Sequence, residues 1–171
     1  LTNGNCEILL AGRNGRCCRF DEADARALGR TASGVRGINI DEDDEVIGMM
    51  AYDPTAEDAS AHSLLVVSEH GYGKRSDFDE YRKTNRGGKG VKTLNITEKT
   101  GVLVAMKNVT DENDLMIINR SGITIRMAVS DIKVAGRATQ GVRLINIKDG
   151  DSIAAISAVN KSEDEQTPNE E

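Results

Sequence analysis

The segment Gly29–Arg36 reads GRTASGVR, and two later segments repeat its pattern: Asn85–Lys92 reads NRGGKGVK, and Gly136–Arg143 reads GRATQGVR. One glycine is shared by all three copies, at Gly34, Gly90 and Gly141. The spacings are 56 residues (34 to 90) and 51 residues (90 to 141). The three copies align around these glycines without a gap, so the chain is built from an internal repeat of about fifty residues.

Each copy carries the signals of four short strands. An apolar run of four residues comes first, at Ile8–Ala11, Leu64–Val67 and Leu115–Ile118. Such a run, bounded by turn residues, is typical of a strand buried on both faces. A glycine at Gly15, Gly71 or Gly122 then indicates a tight hairpin turn into a second strand. We expect the third strand directly after the shared glycine, and the fourth at 46–50, 102–106 and 153–156.

Four strands in about fifty residues are typical of one propeller blade, which buries its apolar faces against neighbouring blades. The sequence therefore predicts an all-β, propeller-like fold with three four-stranded antiparallel blades. Three blades do not close a ring, and Leu1 is not an initiator methionine, so we expect a larger ring in a longer parent chain. We place the blades at residues 1–60, 61–112 and 113–160. Residues 161–171 hold five acidic residues and one lysine, and they predict a disordered acidic tail.

The distribution of positive charge matters more than the net charge of −6, because a basic patch can lie on an acidic body. In the aligned copies, four columns are basic every time. They are Arg19/Arg75/Arg126, Arg26/Arg82/Lys133, Arg30/Arg86/Arg137 and Arg36/Lys92/Arg143.

Two interpretations of these columns stay open. The loops around Arg30, Arg86 and Arg137 are rich in Gly, Ser and Thr, so a phosphate could approach the backbone and bond to the guanidinium groups. Alternatively, the basic residues pair with acids of the same blade. The column Asp24/Glu80/Asp131 lies two residues before a basic column, which is the spacing of a same-face pair on a strand.

Other chemistry finds little support in the sequence. Cys6, Cys17 and Cys18 lack a CxxC spacing and are expected to be buried or half-buried free thiols, which suits a reducing cytoplasm. His62 and His70 have no ligand partners at a useful spacing for a metal. The glycine-rich loop 86–90 lacks the Ser or Thr and the helix of a nucleotide-binding loop. We therefore expect no catalytic residue, no metal site and no cofactor, and the absence of a signal peptide or a long apolar run favours the cytoplasm.

Taken together, the three quoted segments and His70–Arg75 (HGYGKR) closely resemble the last blades of the C-terminal domain of the DNA gyrase A-subunit family. The resemblance extends over about residues 1–158. It implies a six-bladed β-pinwheel, a propeller relative whose blades exchange strands. It also implies that the chain wraps duplex DNA around a basic rim. Thr84–Gly90 matches the last five positions of the family's seven-residue box, QRRGGKG.

The resemblance implies further expectations for partners and site residues. The chain would be a non-catalytic part of a type IIA topoisomerase and would support ATP-dependent negative supercoiling. Its partners would be duplex DNA, the B subunit of gyrase, and the rest of the A subunit in an A2B2 heterotetramer, with ATP and Mg²⁺ bound by other domains. The expected DNA contacts are Arg19, Arg30, Arg36, Arg75, Arg86, Lys89, Lys92, Arg126, Arg137 and Arg143.

Two alternatives remain at this point. The related A-type subunit of topoisomerase IV has C-terminal blades that bind DNA with weaker wrapping. A more distant alternative is a repeat protein that binds another protein on its blade face, which the acidic total favours.

Overall fold

The computed structural model describes residues 1–161, and its regular elements are β-strands and single 3₁₀ turns. Of the predicted acidic tail, only Lys161 lies among these residues. The strands are β1 (Glu7–Gly12), β2 (Arg16–Asp21), β3 (Val46–Tyr52), β4 (Ser63–Ser68), β5 (Tyr72–Ser76), β6 (Val91–Lys92), β7 (Leu103–Val109), β8 (Asn113–Asn119), β9 (Thr124–Ala128), β10 (Val142–Arg143) and β11 (Ile153–Asn160).

The strands form three antiparallel sheets, in the orders β3-β1-β2-β6, β10-β5-β4-β7 and β11-β8-β9. The all-β fold is confirmed, and so are the hairpins. Gly15, Gly71 and Gly122 all have a positive φ between the first and second strand of their repeats. In the first hairpin the pairing runs from Glu7 opposite Asp21 to Ala11 opposite Cys17.

The short strand after the shared glycine lies in the preceding sheet, not in the sheet of its own repeat. β6 belongs to the second repeat but pairs with β2, with Lys92 opposite Arg16. β10 belongs to the third repeat but pairs with β5, with Arg143 opposite Tyr72. The expectation from the repeat pattern is corrected in this detail. The third sheet has three strands in the described range 1–161, because β9 receives no segment of this kind.

Glycine is required where the exchanged segment meets its host sheet. Gly141 has a φ of +76°, and a Cβ there would lie 2.5 Å from the carbonyl oxygen of Gly73. Gly90 has a φ of +71°, and a Cβ would collide in the same way with the carbonyl group of Cys17. Only glycine combines a positive φ with this close approach of two backbones. The repeated glycine is therefore the sequence mark of strand exchange.

The hydrophobic core lies between the sheets and holds them face to face. Leu9 of the first sheet packs in one cluster with Leu64 and Val66 of the second. Leu65 and Val67 point to the other face and pack with the third sheet. The run Leu64–Val67 is at most 1% exposed, as predicted for a strand buried on both faces.

This packing gives each blade an inner and an outer edge. The strands β3, β7 and β11 contact one another in sequence, β3 with β7 and β7 with β11. At the opposite edge of their sheets lie the exchanged strands β6 and β10. We call this second edge the outer edge. It carries the loops that precede these strands, which we number by repeat as the second exchanged loop (84–90) and the third exchanged loop (135–141).

Candidate nucleic-acid interface

The first basic column lies inside the protein. Arg19 is 8% exposed. Its Nε donates to Glu7 Oε2 (2.5 Å), and its Nη1 donates to the carbonyl oxygens of Phe78 (2.6 Å) and Tyr81 (2.9 Å) in the next blade. Burial and these bonds remove Arg19 from the DNA contacts that the sequence predicts.

Arg75 repeats this arrangement one blade later. It is 8% exposed, its Nε donates to the carbonyl oxygen of Ile132 (2.7 Å), and its Nη1 pairs with Asp111 (2.6 Å). Arg126 is exposed, but Asp114 accepts hydrogen bonds from its Nε and Nη2 (2.6 Å each). The column therefore joins strands and successive blades. Burial corrects the predicted DNA contact at Arg75, as it does at Arg19, whereas the contact at the exposed Arg126 stays a prediction.

The exchanged loops behave differently, because they line up along the outer edge. Nη1 of Arg86 donates to the carbonyl oxygen of Arg36 (2.7 Å). Nη1 of Arg137 donates to the carbonyl oxygen of Lys92 (2.9 Å), which is the same contact one repeat later. Each loop is thus fastened to the loop before it. We call the resulting surface the basic ridge, and its side chains are Arg36, Arg86, Lys89, Lys92, Arg137 and Arg143. Arg30 is exposed, and its predicted contact with DNA stays a prediction.

The cations of the basic ridge have few acidic partners. Within residues 1–161 the only salt bridge on the ridge joins Lys89 to Asp41, at 3.6 Å with both side chains 67% exposed. An exposed pair of this length contributes little and can exchange its partner for another anion. No ion pair of the described chain joins the columns Asp24/Glu80/Asp131 and Arg26/Arg82/Lys133. Pairing within blades therefore accounts for the first basic column and leaves the ridge available.

Positive charge is densest around the second exchanged loop. A groove of about 530 Å³ is lined by residues 84–90, which include Arg86 and Lys89, and by Arg16 and Arg82. Arg16 comes from β2 of the preceding blade, and its guanidinium donates to the carbonyl oxygens of Lys89 (3.2 Å) and Gly90 (3.1 Å). It therefore holds the loop while adding a fourth cation.

Sequence reasoning missed Arg16. The aligned residues are Tyr72 and Ile123, so no basic column marks the position. Its role follows only from the pairing of Arg16 with Lys92 across β2 and β6, which strand exchange creates. A local pattern carries no sign of that pairing.

A second groove, of about 430 Å³, lies where β10 meets β5. Tyr72 accepts a hydrogen bond from Nη2 of Arg143 (2.8 Å), and its ring lies 5.4 Å from the cationic groups of both Arg143 and Lys99. The hydrogen bond from Arg143 is the main cause that lowers the pKa of the Tyr72 phenol. Lys148 also lines the groove, and neither lysine was found from the sequence. Both lie outside the repeated columns.

Within the described residues, the other reactive groups do not assemble into a site. Cys6, Cys17 and Cys18 are buried and free, as predicted, and burial raises the pKa of the Cys17 thiol to about 12. His62 contacts Asn108 (2.8 Å) and Asp58 (3.2 Å). Over residues 1–161 no group of three His, Cys, Asp or Glu residues could hold a metal ion. That same range contains no helix long and apolar enough to cross a membrane.

Comparison with known proteins places these features in a family. Three stretches of the chain, residues 7–53, 62–110 and 113–160, match the family described as the DNA gyrase C-terminal domain, a β-propeller. The DNA gyrase A protein of Staphylococcus epidermidis is 46% identical over 164 residues, which cover 96% of this chain and 18% of that protein. The chain thus spans about a fifth of the length of such relatives.

Two solved structures share the fold. The C-terminal domain of DNA topoisomerase IV superposes with a TM-score of 0.83 at 22% identity, over 94% of this chain and 48% of that one. A DNA gyrase A C-terminal domain gives a TM-score of 0.80 at 22% identity, over 92% of this chain and 52% of that one. At this identity the likeness establishes the architecture alone, whereas the matched family model covers most of the sequence. This chain belongs to the DNA gyrase C-terminal domain family.

Proposed function

We propose that this chain binds duplex DNA along the basic ridge and, within a gyrase, supports the wrapping of DNA. The observation that carries the proposal is the row of loop cations on the outer edge, which have only one carboxylate partner within residues 1–161. Loop guanidinium and ammonium groups suit the phosphates of a DNA backbone. Binding of this kind needs no contact with base edges.

The composition supports a duplex rather than a single strand as the ligand. The chain has three Tyr, two Phe and no Trp. Among these, the half-buried Tyr52 stacks on the buried Phe78, and Tyr81 is 1% exposed. Proteins that bind single strands offer aromatic rings to unpaired bases. Contacts to the phosphate backbone of a bent duplex do not require such rings.

The wider assembly is part of the same proposal. The remainder of the gyrase, assembled as A2B2 in the cytoplasm, would supply strand cleavage together with the ATP and Mg²⁺ chemistry. This chain would contribute DNA binding and no catalytic group. Its 46% identity to a DNA gyrase A protein favours gyrase over topoisomerase IV, which the fold alone does not separate.

The proposal is tested by neutralising one equivalent cation in each repeat. Arg36, Lys92 and Arg143 are all exposed on the basic ridge, and the triple change to Gln removes three positive charges. Each lost phosphate contact lowers the slope of log K against log salt by about 0.9, so the slope should fall by about 2 to 3. This slope is measured by fluorescence anisotropy with a labelled duplex of about 40 base pairs at several salt concentrations.

A matched triple variant controls for net charge. Arg13 and Arg120 line a surface next to the starts of the inner strands, and Lys107 lies on β7. Changing these three residues to Gln removes the same charge far from the outer edge. Its salt slope should stay near that of the unchanged chain. Equal slopes for the two triple variants would refute the basic ridge as the binding surface.

A further inference from the structure

Lys74 is a buried lysine, and keeping its ammonium group charged in the core is unfavourable. It lies on β5, is 1% exposed, and is the one lysine in the core of residues 1–161. Burial lowers the pKa of its ammonium group to about 8. An ionised group in such a position costs free energy unless a partner compensates for it. The aligned residues of the other repeats are Cys18 and Ile125, so the fold does not demand a lysine here.

The partner of Lys74 is the third exchanged loop. Nζ donates to the carbonyl oxygen of Gly136 at 2.6 Å. Ser76, two residues along β5, donates from its Oγ to the carbonyl oxygen of Ala135 at 2.7 Å. Residues two apart on a strand point to the same face, so the two side chains hold consecutive carbonyl groups. The residue that follows them is Arg137 of the basic ridge.

The second exchanged loop is held in another way. There Arg16 donates to the carbonyl oxygens of Lys89 and Gly90, and the position of Lys74 is taken by Cys18, whose Sγ lies 3.9 Å from Thr84 Oγ1. In the third loop the residue aligned with Arg16 is Tyr72, which accepts hydrogen bonds from Arg143. That tyrosine leaves the loop without an Arg16-type contact, and Lys74 supplies a different one.

We propose that Lys74 is a positioning residue for DNA binding, which fixes the loop of Arg137 on the basic ridge without touching DNA itself. The inference rests on the proposed function. Two charged groups act on Lys74: Glu80 favours its charged form, and Arg137 disfavours it. A phosphate bound at Arg137 offsets this repulsion, so DNA binding and protonation of Lys74 favour each other.

The first test is a double-mutant cycle with Lys74→Met and Arg137→Ala. Methionine has a similar length but removes the charge and the donor, and the variant should fold because it replaces a buried charge by an apolar group. Since one charge-assisted hydrogen bond is lost, duplex affinity at pH 7 should fall roughly 3- to 10-fold. The double variant should bind no more weakly than Arg137→Ala alone. Lys107→Met, at the inner edge of the same sheet, is the control.

The second test measures how the affinity for duplex DNA depends on pH. A side chain with a purely structural role would not change this dependence. Duplex affinity should weaken from pH 7 to pH 9 as Lys74 loses its proton, and the profile of Lys74→Met should be flat relative to it. Lys74→Gln keeps a donor without a titratable charge, so it should hold the loop but lose the pH dependence. Parallel profiles for all three chains, or additive losses in the cycle, would overturn the role of Lys74.

Hydrogen exchange separates this inference from the proposed function, because it needs no DNA. The amides of residues 135–141 should exchange faster in Lys74→Met than in the unchanged chain and in Lys107→Met. If the unchanged chain fails to bind duplex DNA, the proposed function is wrong while the loop measurement still decides whether Lys74 holds the loop. Unchanged protection in Lys74→Met would show that it does not.

Discussion

At the scale of single residues, arginine has two different roles in this chain, one internal and one on the surface. The aligned repeats do not show which arginine has which role. Arg19 and Arg86 both belong to columns that are basic in every repeat. The difference is burial, because β2 places Arg19 between two blades whereas a loop places Arg86 at the outer edge. The sequence therefore predicted the basic columns but not which of them is internal. That depends on which blade packs against which strand.

The internal role of Arg19 predicts a large loss of stability on truncation. Arg19→Ala leaves the carboxylate of Glu7, which is 5% exposed, without its arginine, and two carbonyl groups without their donor. Because Lys83 still pairs with Glu7 Oε1 (3.2 Å), the loss should fall below the roughly 3–5 kcal/mol of a fully broken buried pair, at about 2–3 kcal/mol of unfolding free energy. Urea denaturation should show this loss, against less than about 1 kcal/mol for Arg13→Ala, whose pair with Glu45 is exposed. Similar midpoints for both variants would contradict the assignment.

At the scale of elements, local sequence signals predicted where the long strands lie. They did not predict strand exchange, because it depends on which sheet a short strand joins. Apolar runs and hairpin glycines act over a few residues, so β1, β4 and β8 could be read directly from the chain. A two-residue strand such as β6 has no periodicity of its own, and nothing in its sequence states which sheet it joins. The repeat pattern alone placed it in its own blade. The glycine before it is the surviving local trace, because the close backbone approach excludes a Cβ.

This role of glycine predicts a contrast between two neighbouring positions of one loop. Gly90→Ala places a Cβ against the backbone of Cys17 at a positive φ, whereas at Gly88 the nearest atom to a Cβ is 3.8 Å away. Gly90→Ala should destabilise the protein by about 1–3 kcal/mol and expel β6, and Gly88→Ala should have little effect. Thermal unfolding measures the loss of stability. The expulsion of β6 should lower the affinity for duplex DNA, because Arg86 and Lys89 are displaced together with the loop. Equal melting temperatures would show that the exchange tolerates a side chain there.

At the scale of the whole molecule, an acidic chain carries a basic edge. The net charge of −6 sums over the whole chain, and residues 161–171 alone contribute −4. A phosphate senses charge within about one Debye length, roughly 10 Å at 0.1 M salt, so the local ridge outweighs the total. Net charge alone would have favoured a protein partner. The repeated basic columns predicted a positively charged surface. Strand exchange places this surface at the outer edge.

The arrangement of the basic ridge also predicts how a duplex must lie on it. The blades pack face to face with β3, β7 and β11 together on the inside, so their outer edges follow an arc and not a straight line. A duplex that contacts the loops of all three repeats must bend, and bending 20–30 base pairs costs on the order of 1–6 kcal/mol. A nick or a short gap at the centre of the duplex removes part of this cost. We therefore expect a centrally nicked duplex of about 40 base pairs to bind several-fold more tightly than the intact duplex.

Two controls test whether the tighter binding of centrally nicked DNA results from bending of the duplex. A nick close to one end should have no such effect, because the contacted part of the duplex still has to bend. In the triple variant at Arg36, Lys92 and Arg143, the advantage of the central nick should shrink, since fewer contacts enforce the bend. Equal affinities for intact and centrally nicked DNA would mean that the duplex lies straight across one loop, and that the chain binds DNA without wrapping it.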